Sequence, residues 1–170
     1  MKELIVGFSY VICIIIVLSL ILSNCTSKRN KFEDELSKEE LVTVELEALK
    51  LTIMVPQKHF IVKRDSFCSI HIDPNNRYGR YFTIEKPNIN VQKKKYSESI
   101  DFDNGIKLRY SKFILENPGS SNGKEYYAKG FFRTEQKLFL ITCSETKEYT
   151  EGDPEFCFKY ISTIKNTTHK

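Results

Sequence analysis

Histidine and cysteine, two side chains that often serve as catalytic base and nucleophile, are few in this sequence. The 170 residues include five cysteines and three histidines, His59, His71 and His169. Cys68 and His71 are three positions apart in a stretch with strand periodicity, so their side chains point to opposite faces and cannot form a thiol–base pair. No serine or cysteine lies in a recognisable nucleophile motif. We therefore predict no catalytic residue and no enzymatic activity.

The sequence also lacks the spacing patterns of metal sites. No two cysteines have the short separation of a zinc or redox motif. The stretch "DFDNG" has alternating oxygen ligands, but Gly105 comes one position too early for a calcium loop and no bidentate glutamate follows at the required distance. Asp101 and Asp103 could bind calcium only weakly, together with a remote loop. We predict no metal and no cofactor.

Three cysteines after the N-terminal region are candidates for a disulfide. Cys143 falls on the apolar face of a predicted strand, and Cys157 shares a predicted helix face with Ile161 and Ile164. Both are therefore expected at a sheet–helix interface. A bridge between them would close a loop of about fourteen residues and contribute about 3 kcal/mol. Pairing of Cys68 with Cys143, across neighbouring strands, remains open.

Two stretches combine aromatic and basic side chains in the manner of binding surfaces. One is "NNRYGRYF", and the other is "ENPGSSNGKEYYAKG", in which a Gly- and Ser-rich loop leads into a predicted strand. In the second stretch a plain hairpin loop, followed by a strand with one tyrosine inward and one outward, is the simpler interpretation. The candidate partner-binding residues are Arg77, Tyr78, Arg80, Lys124, Tyr126 and Tyr127.

The elements that must position these residues indicate an α+β fold. Alternating apolar residues predict strands in "LVTVELEALKLTIMVP", "FIVKRDSFCSIHID" and "RYFTIEKP", where Pro56 and Pro87 act as stops. The dipeptide Asn104-Gly105 and the tight turn "TEQ" join further antiparallel strands. We expect a single antiparallel meander sheet with a C-terminal amphipathic helix packed on it, preceded by an N-terminal signal or anchor segment.

The predicted C-terminal helix follows "EGDP". Apolar residues recur there at intervals of three and four, with Asp153 as N-cap and Pro154 at the first helical position. This order of elements, over residues 41–165, is similar to the PsbP-like fold. The resemblance implies a binding or assembly factor more than an enzyme, although a fold alone does not determine function.

The N-terminal residues predict association with a membrane. From Leu4 to Ser23 the chain carries no charge, and at about 1.5 Å per residue this run could cross the hydrocarbon core of a bilayer. It ends in Leu22-Ser23-Asn24-Cys25, which resembles the lipobox of bacterial lipoproteins. The resemblance implies that Cys25 is acylated and becomes the first residue of the mature chain. An uncleaved anchor helix and an ordinary cleaved signal peptide are the alternatives.

These observations predict four segments: 1–24 signal peptide or anchor, 25–40 polar tether, 41–166 globular domain and 167–170 tail. The net charge of +4 comes from interleaved acidic and basic residues, which does not indicate a nucleic-acid surface.

We predict an envelope lipoprotein, held by its lipid or an N-terminal helix. Its domain would face the periplasm or exterior and bind an envelope macromolecule, a protein, without catalysis. The alternatives are an immunity protein that neutralises a secreted antibacterial toxin, and an envelope enzyme whose site is assembled from remote residues.

Overall fold

The computed structural model describes residues 31–72, 79–87, 96–116, 124–135, 137–147 and 151–167. Within these ranges there are ten strands and little helix. The strands are β1 Leu41–Leu46, β2 Leu51–Pro56, β3 Phe60–Lys63, β4 Phe67–His71, β5 Arg80–Glu85, β6 Glu98–Asp101, β7 Lys107–Glu116, β8 Lys124–Arg133, β9 Leu138–Lys147 and β10 Lys165–Asn166. The helical elements are α1 at residues 31–36, a 3₁₀ helix at Glu47–Leu49 and α2 at Phe158–Ile161.

The strands form two antiparallel sheets. The smaller sheet has the order β1-β2-β10, and the larger has the order β3-β4-β5-β9-β8-β7-β6. Two meanders, β3 to β5 and β6 to β9, are joined where β9 pairs with β5, and Ile84 lies opposite Ile141 there. The fold is mostly antiparallel sheet with few helices, in accord with the predicted class, but the sheet is larger than the predicted single meander.

The predicted turn between β6 and β7 is formed by Asn104 and Gly105. Gly105 has a φ of +79°, which glycine adopts without steric cost. Asn104 Oδ1 accepts a hydrogen bond from the Ile106 N–H at 3.1 Å. Asn104 Nδ2 donates to the carbonyls of Ser162 at 2.7 Å and Ile164 at 3.2 Å. The hairpin turn therefore also holds the C-terminal segment.

One cluster of buried side chains joins both sheets and α2. The ring of Tyr160 stacks on Phe82 with centroids 5.9 Å apart, and Phe158 meets Tyr110 edge to face at 4.6 Å. Aromatic pairs of this kind add to the free energy gained by burial. Phe and Tyr side chains therefore form a large part of the core where the C-terminal segment packs on the larger sheet.

The C-terminal segment differs from the predicted amphipathic helix. The helix α2 is a single turn that begins after Cys157 rather than after Asp153. The Tyr160 N–H bonds to the Cys157 carbonyl at 3.0 Å, an i to i+3 contact typical of tight turns. Asp153 Oδ1 accepts a bond from the Glu155 N–H at 3.0 Å, so Asp153 supports a turn instead of a helix. The disulfide at Cys157 holds these turns against β9.

The residues around α1 contact the core of the domain. Phe32 is buried, with its ring centroid 6.4 Å from that of Phe102. Glu39 Oε1 lies 2.5 Å from Lys159 Nζ, and Glu39 Oε2 accepts a hydrogen bond from the Tyr160 hydroxyl at 2.7 Å. Burial and the Glu39 carboxylate raise the pKa of Tyr160. The later part of the predicted tether 25–40 therefore packs on the domain.

The predicted signal or anchor segment, residues 1–24, lies outside the described residues, as does Cys25. In the part of the chain that the structure does describe, no helix has the length and apolar character needed to cross a membrane.

Candidate partner-binding groove

A groove of about 710 Å³ lies between the outer halves of β7 and β8 and the segment 151–155. This volume is in the range of ligand and peptide clefts. Two strands form its floor, and the segment 151–155 forms its wall. The described residues that line it are Lys112, Phe113, Ile114, Tyr126, Glu151, Gly152, Asp153, Pro154 and Glu155.

The floor of the groove continues the sheet face that carries the core. Tyr110 is fully buried on this face, and the next residues of β7 on the same face are Lys112 and Ile114. Their partners on β8 are Ala128 and Tyr126. Ile114 is 53% exposed although it lies on the face that packs the core elsewhere. The floor therefore offers apolar surface to a partner.

The wall touches the floor at Gly152. A Cβ at this position would overlap the ring of Tyr126, so the close approach requires glycine. The next residue, Asp153, donates its N–H to Glu145 Oε2 at 2.5 Å. The wall is therefore fixed to β8 by packing and to β9 by a charge-assisted hydrogen bond.

Glu145 connects the wall to β9 and β5. Its side chain is only 1% exposed, and its Oε1 accepts a hydrogen bond from Arg80 Nε at 2.6 Å. The Arg80 guanidinium also lies 5.4 Å above the ring of Phe156. A buried carboxylate is tolerated where a cation and a backbone N–H satisfy it. Arg80 therefore supports the wall, and its predicted contact with a partner stays a prediction.

A disulfide joins Cys143 to Cys157, which is the more local of the two predicted pairings. It links β9 to the residue before α2 and so closes the loop that contains the wall. Cys68 is a free, buried thiol. Burial raises the pKa of Cys68 to about 11, although Lys63 lowers it, so the thiol stays neutral at physiological pH.

A network of charged groups lies at the base of the groove. Lys112 Nζ is 3.3 Å from Oε1 of both Glu98 and Glu155. The Tyr110 hydroxyl lies 2.9 Å from Glu98 Oε2 and 2.5 Å from Glu155 Oε1, and its one proton can be donated to only one carboxylate at a time. Burial, together with Glu155 and Glu98, raises the pKa of Tyr110. Burial lowers the pKa of Lys112, but the same carboxylates outweigh that effect and raise it.

The groove carries an excess of negative charge. Among the described residues, its lining contains one lysine against the carboxylates of Glu151, Asp153 and Glu155, and Glu98 adds another carboxylate at the base. Within the described residues, no three His, Cys, Asp or Glu side chains are grouped so as to hold a metal ion. The arrangement is therefore suited to binding a segment that is both apolar and basic.

Three of the predicted partner-binding residues lie in or near β8. Tyr126 lines the groove and is 8% exposed. Tyr127 points to the opposite face of the sheet, where its ring stacks 5.6 Å from Phe113. Lys124 pairs with Glu116 at 3.7 Å and does not line the groove. The structure therefore brings only one of these three residues into the site.

Two further predicted partner-binding residues, Arg77 and Tyr78, lie outside the described residues. Apart from Tyr126, the residues that line the groove were not predicted as partner-binding residues. Lys112, Ile114 and Gly152 carry no motif. One signal was available, because three successive apolar residues at 113–115 break the alternation of an otherwise half-buried strand.

All strands of the larger sheet and the described groove fall within a match to a known protein family. The profile of the type six secretion immunity 3 domain (Tsi3) matches residues 52–165, about two thirds of the chain. The chain belongs to the Tsi3 family. This match overturns the main prediction of a general envelope-macromolecule binder and favours the immunity alternative. Membership of the Tsi3 family also implies a protein partner.

No curated protein matches the chain. A crystal structure of a protein from Bacteroides thetaiotaomicron VPI-5482 aligns with a TM-score of 0.48 and 14% identity, over 76% of this chain and 48% of that one. The chain therefore spans about half the length of that protein.

Proposed function

We propose that this protein is an immunity protein that binds and neutralises an antibacterial effector of a type VI secretion system. The observation that carries the proposal is the immunity-domain match, which extends from β2 to β10. The groove supports it, because apolar floor and acidic wall are arranged for contact with another protein.

Neutralisation would occur by binding and not by catalysis. At the base of the groove, Lys112 and the Tyr110 hydroxyl are engaged with the carboxylates of Glu98 and Glu155. An inhibitor that acts by binding must be present in at least equal amount to its target. We therefore expect protection to require one copy of this protein for each effector molecule.

Co-expression tests this function directly. The effector encoded beside the gene for this protein would be expressed in a host bacterium and directed to the compartment in which it is toxic. Wild-type protein is expected to restore growth and to co-purify with the effector in a 1:1 complex whose effector has an unchanged intact mass. Growth arrest in its presence, or a covalently altered effector, would contradict the proposal.

We further propose that the protein is a lipoprotein held at the cell envelope through Cys25, with its domain facing the periplasm or exterior. The support is the lipobox-like Leu22-Ser23-Asn24-Cys25 after a long uncharged run. Intact-mass measurement of membrane-extracted protein should show a chain that begins at Cys25 and carries acyl groups. An unmodified chain that begins at Met1 would contradict it, and Cys25→Ala is the control that should abolish acylation.

A further inference from the structure

The strand β7 is longer than its outer neighbour. β6 pairs with β7 only from Lys107 to Tyr110, whereas β7 continues to Glu116 and pairs with β8 throughout. No strand among the described residues pairs with β7 beyond Tyr110 on the side away from β8. We call the stretch Lys112–Glu116 on that side the outer edge of β7, and it borders the groove.

The backbone direction along this edge follows from the hairpin turn. Successive residues of a strand direct their N–H and C=O groups alternately to its two sides. The Ile106 carbonyl accepts a hydrogen bond from the Phe102 N–H at 2.9 Å. The backbone N–H and C=O groups of the even-numbered residues of β7 therefore point toward the β6 side of the strand. Lys112 and Ile114 therefore direct their N–H and C=O groups away from β8, toward the outer edge.

The side chains of this edge are unusually apolar for an exposed strand. Phe113, Ile114 and Leu115 are 36%, 53% and 50% exposed, and they follow one another directly. Proteins commonly protect sheet edges with outward-pointing lysines. The lysine here, Lys112, instead has its ammonium held at 3.3 Å by carboxylates at the base of the groove. The outer edge of β7 is therefore suited to main-chain pairing with an added strand.

We propose that the effector binds by adding one extended, basic and apolar segment as a strand along the outer edge of β7. This inference rests on the proposed immunity function. Lys112 and Ile114 together could form about four main-chain hydrogen bonds with such a segment. Alternate side chains of the added strand would face the groove, where basic groups would meet Glu151 and Asp153 and apolar stems would contact Tyr126.

Hydrogen exchange of single amides tests this mode of binding on the full chain and the effector encoded beside its gene. The amides of Lys112 and Ile114 should exchange rapidly in the free protein and at least about tenfold more slowly in the complex. The amides of Phe113 and Leu115 face β8 and serve as internal controls that should be protected in both states. A complex in which Lys112 and Ile114 exchange as fast as in the free protein would overturn the proposal.

A proline substitution provides an independent test. Ile114→Pro removes an outward N–H without removing a bond to β8, and it should weaken effector binding by about tenfold or more. Ile114→Thr is the matched control, because it shortens the apolar side chain yet keeps the N–H, and it should weaken binding less than the proline variant. Equal affinities for the two variants would overturn the proposal. In the event that the proline variant does not fold, the hydrogen-exchange measurement on the wild-type complex provides the test.

Failure of this inference is distinguishable from failure of the proposed function. If wild-type protein binds and neutralises the effector while the edge amides stay unprotected, only the strand-addition proposal is wrong. If wild-type protein does not bind the effector at all, both are wrong. If the edge amides become protected with rising protein concentration in the absence of effector, a second copy of this chain is the occupant and the proposal is overturned.

Discussion

The Lys112 ammonium lies 3.3 Å from Oε1 of Glu155 and joins a residue of the groove floor to a residue of the wall. The Tyr110 hydroxyl approaches the same carboxylate from the core side. Floor and wall are therefore parts of one interacting unit, and a change at their contact should affect stability and partner binding together.

Gly152 is the position at which that coupling is tested most simply. Gly152→Ala should push the wall off the Tyr126 ring, lower the free energy of unfolding by about 1–3 kcal/mol and weaken effector binding. Urea unfolding and calorimetric titration with the effector measure the two effects. Gly105→Ala is the matched control, since its positive φ costs about 1–2 kcal/mol at a turn remote from the groove. Equal loss of affinity in both variants would show that stability alone is responsible.

The buried carboxylate of Glu145 should depend on Arg80. Arg80→Ala is expected to lower the free energy of unfolding by about 2 kcal/mol, less than for a fully buried pair because the Arg80 side chain is 44% exposed. Glu145→Gln keeps an acceptor for the Asp153 N–H, so the double variant should recover part of that loss. A double-mutant cycle from urea unfolding curves measures this coupling. Strict additivity of the two single changes would contradict it.

The disulfide should stabilise both the domain and the wall. Replacing Cys143 and Cys157 together by alanine should lower the free energy of unfolding by about 3 kcal/mol, as expected for a loop of this length. Effector affinity should fall as well, because the loop that contains the wall is no longer closed. Cys68→Ala is the control for loss of a buried cysteine and should leave affinity unchanged. An unchanged affinity in the double variant would mean that hydrogen bonds and packing alone hold the wall.

Stability should fall in alkaline solution. The pKa of Tyr110 is raised in the folded protein, so the folded state holds this proton more tightly than the unfolded state. Its contribution is complete below the unfolded pKa of about 10 and is lost as the pH rises above that value. The raised pKa of Lys112 acts in the same direction.

Unfolding in urea at several pH values measures this effect. Tyr110→Phe should reduce the alkaline slope of the free energy of unfolding by up to about 1.4 kcal/mol per pH unit. At neutral pH the variant should also be less stable, since Glu98 and Glu155 lose a hydrogen-bond donor. An alkaline slope that matches the wild type would show that Tyr110 does not contribute to it.

Local patterns in the sequence predicted the strands better than their assembly. Alternation and Asn104-Gly105 predicted β6 to β9 correctly, because both signals depend on neighbouring residues. The pairing of β5 with β9 brings together Arg80 and Glu145, which are 65 positions apart, and no local signal specifies it. The C-terminal helix was predicted too long, since apolar periodicity does not distinguish a helix from successive tight turns.

The groove was harder to predict than the fold. Its floor comes from β7 and β8 and its wall from residues that follow β9, so only the assembled sheet brings them together. Tyr126 was predicted because the stretch around it combines aromatic and basic residues. The requirement for glycine at position 152 comes from contact with the Tyr126 ring, 26 positions earlier in the sequence. The sequence analysis predicts an immunity role only as an alternative to a general envelope binder, because no residue type or spacing in the chain indicates that role.

The contact of Phe32 with Phe102 has a consequence for the orientation of the molecule. Phe102 lies in the turn before β7. At the usual rise per residue, Ile114 lies about 23 Å from the first residue of that strand. The first described residues lie beside Phe102. The lipid proposed at Cys25 would therefore join the chain nearer to the start of β7 than to Ile114 and the groove floor.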